Sequence, residues 1–307
     1  MKHRHPTQLP PYQPPPLSII MASDGTLPPA PRLDAVRRPL RHIREQLRSL
    51  TGWGLHPKSA GASQVTRASL PAGANGISLS FLSAGHSGAQ RIVFIHGSPG
   101  RSDEWHPFLA ACPPDQYRIA IDRAGYGDSQ PRLPLPTVAA QAAGIVPLLT
   151  KGCVLVAHSY GATVALRLAA DYPDLVAGLL LIGCPVDPEL EHVHPFQRMA
   201  ARPWAARLMP QGLHASNMEL LPFRADLQDL VPRLGGVTAK VTCMQGLRDT
   251  LVPPSNAALL SRHLTGTAAP RSILLPDGDH YLPWTHRSTI EQAVGYVLRD
   301  CAAVSRG

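Results

Sequence analysis

From about residue 64 onward, apolar residues arrive in short blocks separated by amphipathic stretches, an alternation that the first sixty residues lack. The blocks fall at 64–70, 77–82, 91–95, 117–121, 153–157, 178–182, 240–245 and 272–275, most of them rich in Val, Ile and Leu, and each has strand length. The later blocks are apolar throughout rather than alternating, the pattern of parallel strands covered on both faces. Between them, apolar steps of three and four predict helices at 104–111, 137–149, 160–170, 254–264 and 288–299, the second kinked by Pro147. Strands alternating with helices predict an α/β fold built on a mostly parallel, eight-stranded sheet. In such sheets ligands bind beyond the carboxyl ends of the strands, so chemistry is expected in the loops there.

One connection is too long for a simple crossover. Some 55 residues separate Gly183 from Thr238, and they are rich in Pro, Met and aromatic residues. We read 186–237 as a small helical cap inserted after the sixth strand. Its large apolar residues (Phe196, Met199, Trp204, Met209, Met218, Leu220, Leu221 and Phe223) are too many to bury internally, so some are expected to roof a pocket. At the other end, residues 1–31 hold nine prolines and little that could pack, which predicts a disordered tail. A basic segment at 32–60 follows, with a helix expected over 39–50 because Leu40, Ile43, Leu47 and Leu50 share one face. The domain proper is expected over 61–307.

Charge changes this picture little. The formal net charge is +8, but residues 1–60 hold nine Lys/Arg against three Asp/Glu, so the remainder is nearly neutral. No nucleic-acid partner is expected; a weak contact with anionic membrane surfaces through the 39–50 helix stays open. No run of eighteen apolar residues occurs, and the basic N-terminus has no apolar stretch behind it. Five cysteines without C-x-x-C spacing read as small buried thiols, which suits a cytoplasmic setting.

The sharpest local signal is Val154-Leu155-Val156-Ala157-His158-Ser159-Tyr160-Gly161-Ala162: an apolar strand runs into a serine flanked by small residues, and a helix starts at once. A tight strand-to-helix turn of this kind lifts a serine hydroxyl above the sheet, beside the free N–H groups of the helix. Three other motifs also follow apolar strands: His96-Gly97-Ser98-Pro99-Gly100, the loop Asp122 to Ser129, and Gln245 to Pro253. A fourth, Asp277-Gly278-Asp279-His280, follows the last strand.

Taken together over about residues 64–300, these motifs resemble the α/β-hydrolase superfamily, with Ala157 where the family usually has glycine. The resemblance implies Ser159 as nucleophile, Asp249 as acid and His280 as base, in the chain order this fold uses. It also implies that His96 and Gly97 belong to an oxyanion loop, that the N–H groups of Ser98 and Tyr160 are its donors, and that the Asp122 loop is structural. Asp187, just after the sixth strand, is the rival acid, because some members carry theirs there. His158, adjacent to Ser159 in sequence, is expected to point away and not to serve as the base, and His192-x-His194 lacks the surroundings of a metal site.

Serine needs a neighbouring base, imidazole can take and return a proton near neutrality, and a carboxylate orients that imidazole. The expected activity is hydrolysis of an ester or related acyl substrate, a small and apolar one, through an acyl-serine, with no cofactor or metal. Carbon–carbon bond hydrolysis, amide or aminopeptide hydrolysis, perhydrolysis and a non-catalytic binding role use the same fold. Dehalogenases and epoxide hydrolases of the family carry aspartate where Ser159 sits.

Overall fold

Strand β3 (Gln90–Ile95) lies at the centre of the computed structural model, pairing in parallel with β4 (Gln116–Ile121) on one side and β5 (Cys153–His158) on the other. The structure describes residues 63–72, 76–132 and 135–304. The expected tail and the expected 39–50 helix lie outside the described residues. With β1 (Thr66–Leu70), β2 (Leu79–Gly85), β6 (Val176–Ile182), β7 (Lys240–Gly246) and β8 (Arg271–Leu275), the strands form one sheet in the order β1-β2-β4-β3-β5-β6-β7-β8. Strand β2 runs antiparallel to both its neighbours, and every other pair is parallel.

Alternate side chains of the central strands serve two cores. Val93, Ile95, Leu155, Ala157, Leu179 and Leu181 pack on one face, against helices α2 (Val138–Ile145) and α3 (Tyr160–Asp171). Ile92, Phe94, Val154, Val156, Leu180 and Ile182 pack on the other, against α1 (His106–Ala110) and α10 (Arg287–Val304). Both faces of the middle strands are therefore dry, which is why their sequence is unbroken by polar residues.

Each strand and helix expected between residues 64 and 299 is present, with boundaries moved for physical reasons. The second strand starts at Leu79 and extends to Gly85 because β4 offers it partners from Ile121 to Tyr117. The helix expected over 104–111 opens as a 3-10 turn, Ser102–Trp105, in which the Glu104 carboxylate accepts from the Arg101 N–H. Helix α2 ends at Ile145, and Val146–Leu148 tightens to a 3-10 turn where Pro147 has no N–H to give. Helix α8 (Ser255–His263) is close to its expected span, and the short α9 (Leu282–Thr285) before α10 was not expected.

The long connection after β6 is a helical insert: α4 (Pro195–Ala200), α5 (Pro203–Ala206), α6 (Gln211–Leu220) and α7 (Phe223–Leu230), bracketed by 3-10 turns. Some of its apolar residues face the sheet, as expected, and others do not. Phe223, Leu227 and Leu230 are buried in the core, and Leu220 packs on it. Phe196, Met199 and Trp204 face solvent instead.

Helix α10 lies so close to β6 that a methyl group on Gly178 would come within 2.5 Å of Val297 Cγ1 and 2.8 Å of Cys301 Sγ. Gly178→Ala should therefore push the helix outward and cost about 1–3 kcal/mol, read as a lower urea midpoint with an unchanged slope.

Candidate active site

Strand β5 must turn into α3 within one residue, and Ser159 takes the strain: its φ is 55° and ψ −131°. Among the described residues it is the one non-glycine with positive φ. Such a backbone persists only where its surroundings fix it. Here the Ser159 N–H donates to the Ile182 carbonyl at 2.9 Å, while Ala157 packs fully buried beneath. Gly161 is required two residues on, since a Cβ there would sit 2.3 Å from the His96 carbonyl oxygen. The α3 terminus is thereby pressed onto the loop after β3.

The loops after β7 and β8 bring the acid and the base to this serine. His280 Nε2 lies 3.0 Å from Ser159 Oγ, and its Nδ1 lies 2.8 Å from Asp249 Oδ2. The other Asp249 oxygen accepts from the N–H groups of Leu251 and Val252 at 2.9 Å each, and Gln245 Nε2 donates to Oδ2 at 3.2 Å. Burial alone would raise this carboxyl, but the His280 contact and these donors outweigh it and hold Asp249 below the usual carboxylate range. Asp187 is elsewhere: its carboxylate accepts from Glu189 N–H and caps the 3-10 turn Pro188–Leu190.

His158 packs beside His280 and makes no hydrogen bond to Ser159 Oγ. Its ring centroid is 4.8 Å from that of His280, and its Nε2 lies 2.8 Å from the His280 carbonyl oxygen. Burial, reinforced by the neighbouring His280, pushes His158 down to about 3, so it stays neutral and donates that hydrogen bond from Nε2. The end of β5 directs the His158 ring toward the backbone of His280.

Above the sheet's central strands, the His96–Ser98 loop is fixed from behind. Arg123 Nη2 donates to the Gly97 carbonyl at 2.7 Å and Nε to the His96 carbonyl at 3.2 Å. The same guanidinium forms a bidentate pair with Glu219 of α6 at 2.8 and 2.9 Å, and Tyr126 donates to Glu219 at 2.6 Å. Neither charged side chain is exposed at all. His96 is locked as well, accepting at Nε2 from the Arg123 N–H, while burial and the Arg123 charge push it down to about 3. Ser98 Oγ donates to Ser216 Oγ of the same cap helix at 2.8 Å. Asp122 is structural, as expected: it accepts from the N–H groups of Ser102 and Asp128, and Gly127 is needed because a Cβ would meet its carboxylate at 2.2 Å. Arg123, Tyr126, Ser216 and Glu219 were missed by the motif reading. The visible signal was an arginine inside a loop known only for its aspartate and glycines.

A cavity of about 260 Å³ opens over Ser159, walled by Tyr160, Leu220, Phe223, Leu251 and Trp284. Glu104 and Glu191 also line it, and burial pushes Glu104 up to about 8. An array of this kind can move a proton from a serine hydroxyl to an imidazole held by a carboxylate.

A model of the alpha/beta hydrolase family matches residues 92–301 of the chain. Lipase LipV of Mycobacterium tuberculosis is 37% identical over 102 residues, 32% of this chain and 38% of LipV. RutD of Variovorax paradoxus, named for carbamate hydrolysis, is 27% identical over 233 residues, 64% of this chain and 86% of RutD. The first curated relatives that it resembles are matched over only a quarter to two fifths of their own length. Among solved structures, a hydrolase from Pseudomonas aeruginosa PA01 superposes with a TM-score of 0.60 at 18% identity, covering 78% of this chain and 99% of that one. Haloalkane dehalogenase DbeA from Bradyrhizobium elkani gives 0.61 at 23%, covering 78% and 100%. With the family model spanning most of a sheet of this order and its helical insert, the chain belongs to the alpha/beta hydrolase family.

Proposed function

We propose that this protein is a serine hydrolase that cleaves an ester or related acyl substrate, and the observation that carries the reading is the unbroken hydrogen-bond line Ser159–His280–Asp249 beneath the cavity. Ser159 Oγ attacks the acyl carbon as His280 Nε2 takes its proton. Asp249 holds Nδ1–H in place and stabilises the transient imidazolium. His280 then returns the proton to the leaving alcohol, and water repeats the sequence on the acyl-serine.

Two backbone donors are proposed for the developing oxyanion. Tyr160 opens α3, where N–H groups lack intrahelical acceptors. The Gly97–Ser98 peptide is trans, so pinning the Gly97 carbonyl to Arg123 turns the Ser98 N–H away from the guanidinium. Ser98 and Tyr160 both line the cavity. Donors fixed beforehand stabilise charge without reorganising during the reaction. The apolar wall of Leu220, Phe223, Leu251, Val252 and Trp284 supports a small, neutral acyl or alcohol group as substrate. A reducing setting such as the cytoplasm belongs to the same reading, supported by five cysteines without C-x-x-C spacing, four of them buried.

Ser159→Ala removes one hydroxyl and little volume. Turnover of p-nitrophenyl esters should fall by several orders of magnitude and fluorophosphonate labelling should vanish, with thermal unfolding unchanged. Near-normal turnover by the folded variant would end the proposal. The acid is separable in the same assay: Asp249→Asn should cut kcat by about 10³–10⁴, whereas Asp187→Asn should leave it within a few-fold. Glu219→Ala strands a buried guanidinium and should cost about 3–5 kcal/mol in urea unfolding. It should also lower kcat as the His96–Ser98 loop loosens, and an unchanged midpoint would remove the ion pair from that positioning role.

A further inference from the structure

Seven large apolar side chains are markedly exposed among the described residues, and they are not scattered. Five lie between residues 190 and 208 of the cap: Leu190, Phe196, Met199, Trp204 and Leu208, with Phe196 and Trp204 at 60% and Leu208 at 81% exposure. The other two, Leu251 and Trp284, line the Ser159 cavity and still reach solvent. Singly exposed apolar residues need no explanation, but a concentration in one short segment marks a contact surface.

Charge says what kind of surface. From His192 to Met218 the chain contains no Asp or Glu, while Arg198, Arg202 and Arg207 all stand exposed among the apolar residues. Among the described residues none of these three has an ion-pair partner. Lack of a partner does not by itself set them apart, since Arg132, Arg248, Arg262, Arg287 and Arg299 are also exposed without an ion pair among the described residues; the long run without a carboxylate does. The segment is thus apolar and purely cationic at once. That combination matches a lipid surface, which is negative at its phosphates and apolar just beneath. Phe, Trp and Leu enter the acyl boundary while arginine stems lie along it and leave their heads at the phosphates. No helix among the described residues is long and apolar enough to cross a membrane, so the contact is with the surface.

We propose that the outer face of the cap, residues 192–208, adsorbs to anionic lipid surfaces, with Phe196, Met199, Trp204 and Leu208 below the headgroups and Arg198, Arg202 and Arg207 on the phosphates. The inference rests on exposure and charge, and it stands apart from the proposed role of Ser159. Because Glu191, which lines the cavity, sits at the edge of this segment, adsorption would bring the cavity close to the lipid boundary.

The test is co-sedimentation of the full chain with phosphatidylcholine vesicles prepared with and without phosphatidylserine. The wild type should bind the phosphatidylserine vesicles and scarcely bind the others, with binding weakened by salt. Trp204→Ser combined with Leu208→Ser, and separately the triple variant Arg198→Glu, Arg202→Glu, Arg207→Glu, should each lower the partition coefficient at least about tenfold. All five positions are exposed, so thermal unfolding should be unchanged and a loss of binding cannot be ascribed to misfolding. The basic stretch at 1–60 is the rival contact. If both variants bind like the wild type, that stretch or nothing holds the lipid and the proposal fails. It fails also if only one variant loses binding, or if neutral vesicles bind equally well.

Discussion

Arg123 and Glu219 face each other with no access to water, joining the loop after β4 to the cap helix α6 through two parallel hydrogen bonds. Removing two charges from water is expensive, and their mutual attraction offsets this only when geometry is good and the remaining donors are used. Here they are used: the guanidinium spends its other N–H groups on the carbonyls of His96 and Gly97, and Glu219 accepts from Tyr126. The ion pair therefore ties three separate pieces of chain, one of them an insertion, into one arrangement over the end of β3. Everything that faces the cavity from that side takes its position from it.

The opposite side is held by strain and close backbone contact. Ser159 keeps its left-handed conformation because β6 accepts its N–H and because α3 has nowhere else to start. The acid and base loops are in register through their own backbones: Arg248 N–H donates to the Gly278 carbonyl, and Gly246 leaves room for that approach, since a Cβ there would meet the same oxygen at 2.5 Å. His158, kept uncharged by burial, adds a bond to the His280 carbonyl. A neutral ring in that place leaves His280 free of a second positive charge.

Much of this was legible in the residues. The strands could be read because the sheet is dry on both faces, so apolar runs such as Val154 to Ala157 carry no alternation to confuse them. Ser159, Asp249 and His280 could be read because each closes a loop directly after a strand, where few residue types fit. What escaped has a common cause. The partners of Arg123 and His158 are 96 and 122 residues away, and no local pattern encodes a contact at that separation. The cap was foreseen by its length but not by the direction of its side chains, since α4 and α5 are too short for periodicity to fix a face.

The cap leaves the sheet after β6 and returns at β7, two strands paired directly with each other from Gly178 with Lys240 to Ile182 with Met244. Its ends therefore meet the sheet at neighbouring positions, and the register below is indifferent to how much chain is threaded between them. An insertion of that kind is a replaceable module: it can lengthen, shorten or be exchanged during evolution without renegotiating the strands. The exchange has one hidden condition. Arg123 belongs to the sheet but its counter-charge belongs to the module, so any transplanted cap must bring a carboxylate to the place of Glu219 or leave a bare cation in the core. Diversity in the lid is free on its outer face, and constrained where the module enters the core, at the Glu219 carboxylate and at Phe223, Leu227 and Leu230.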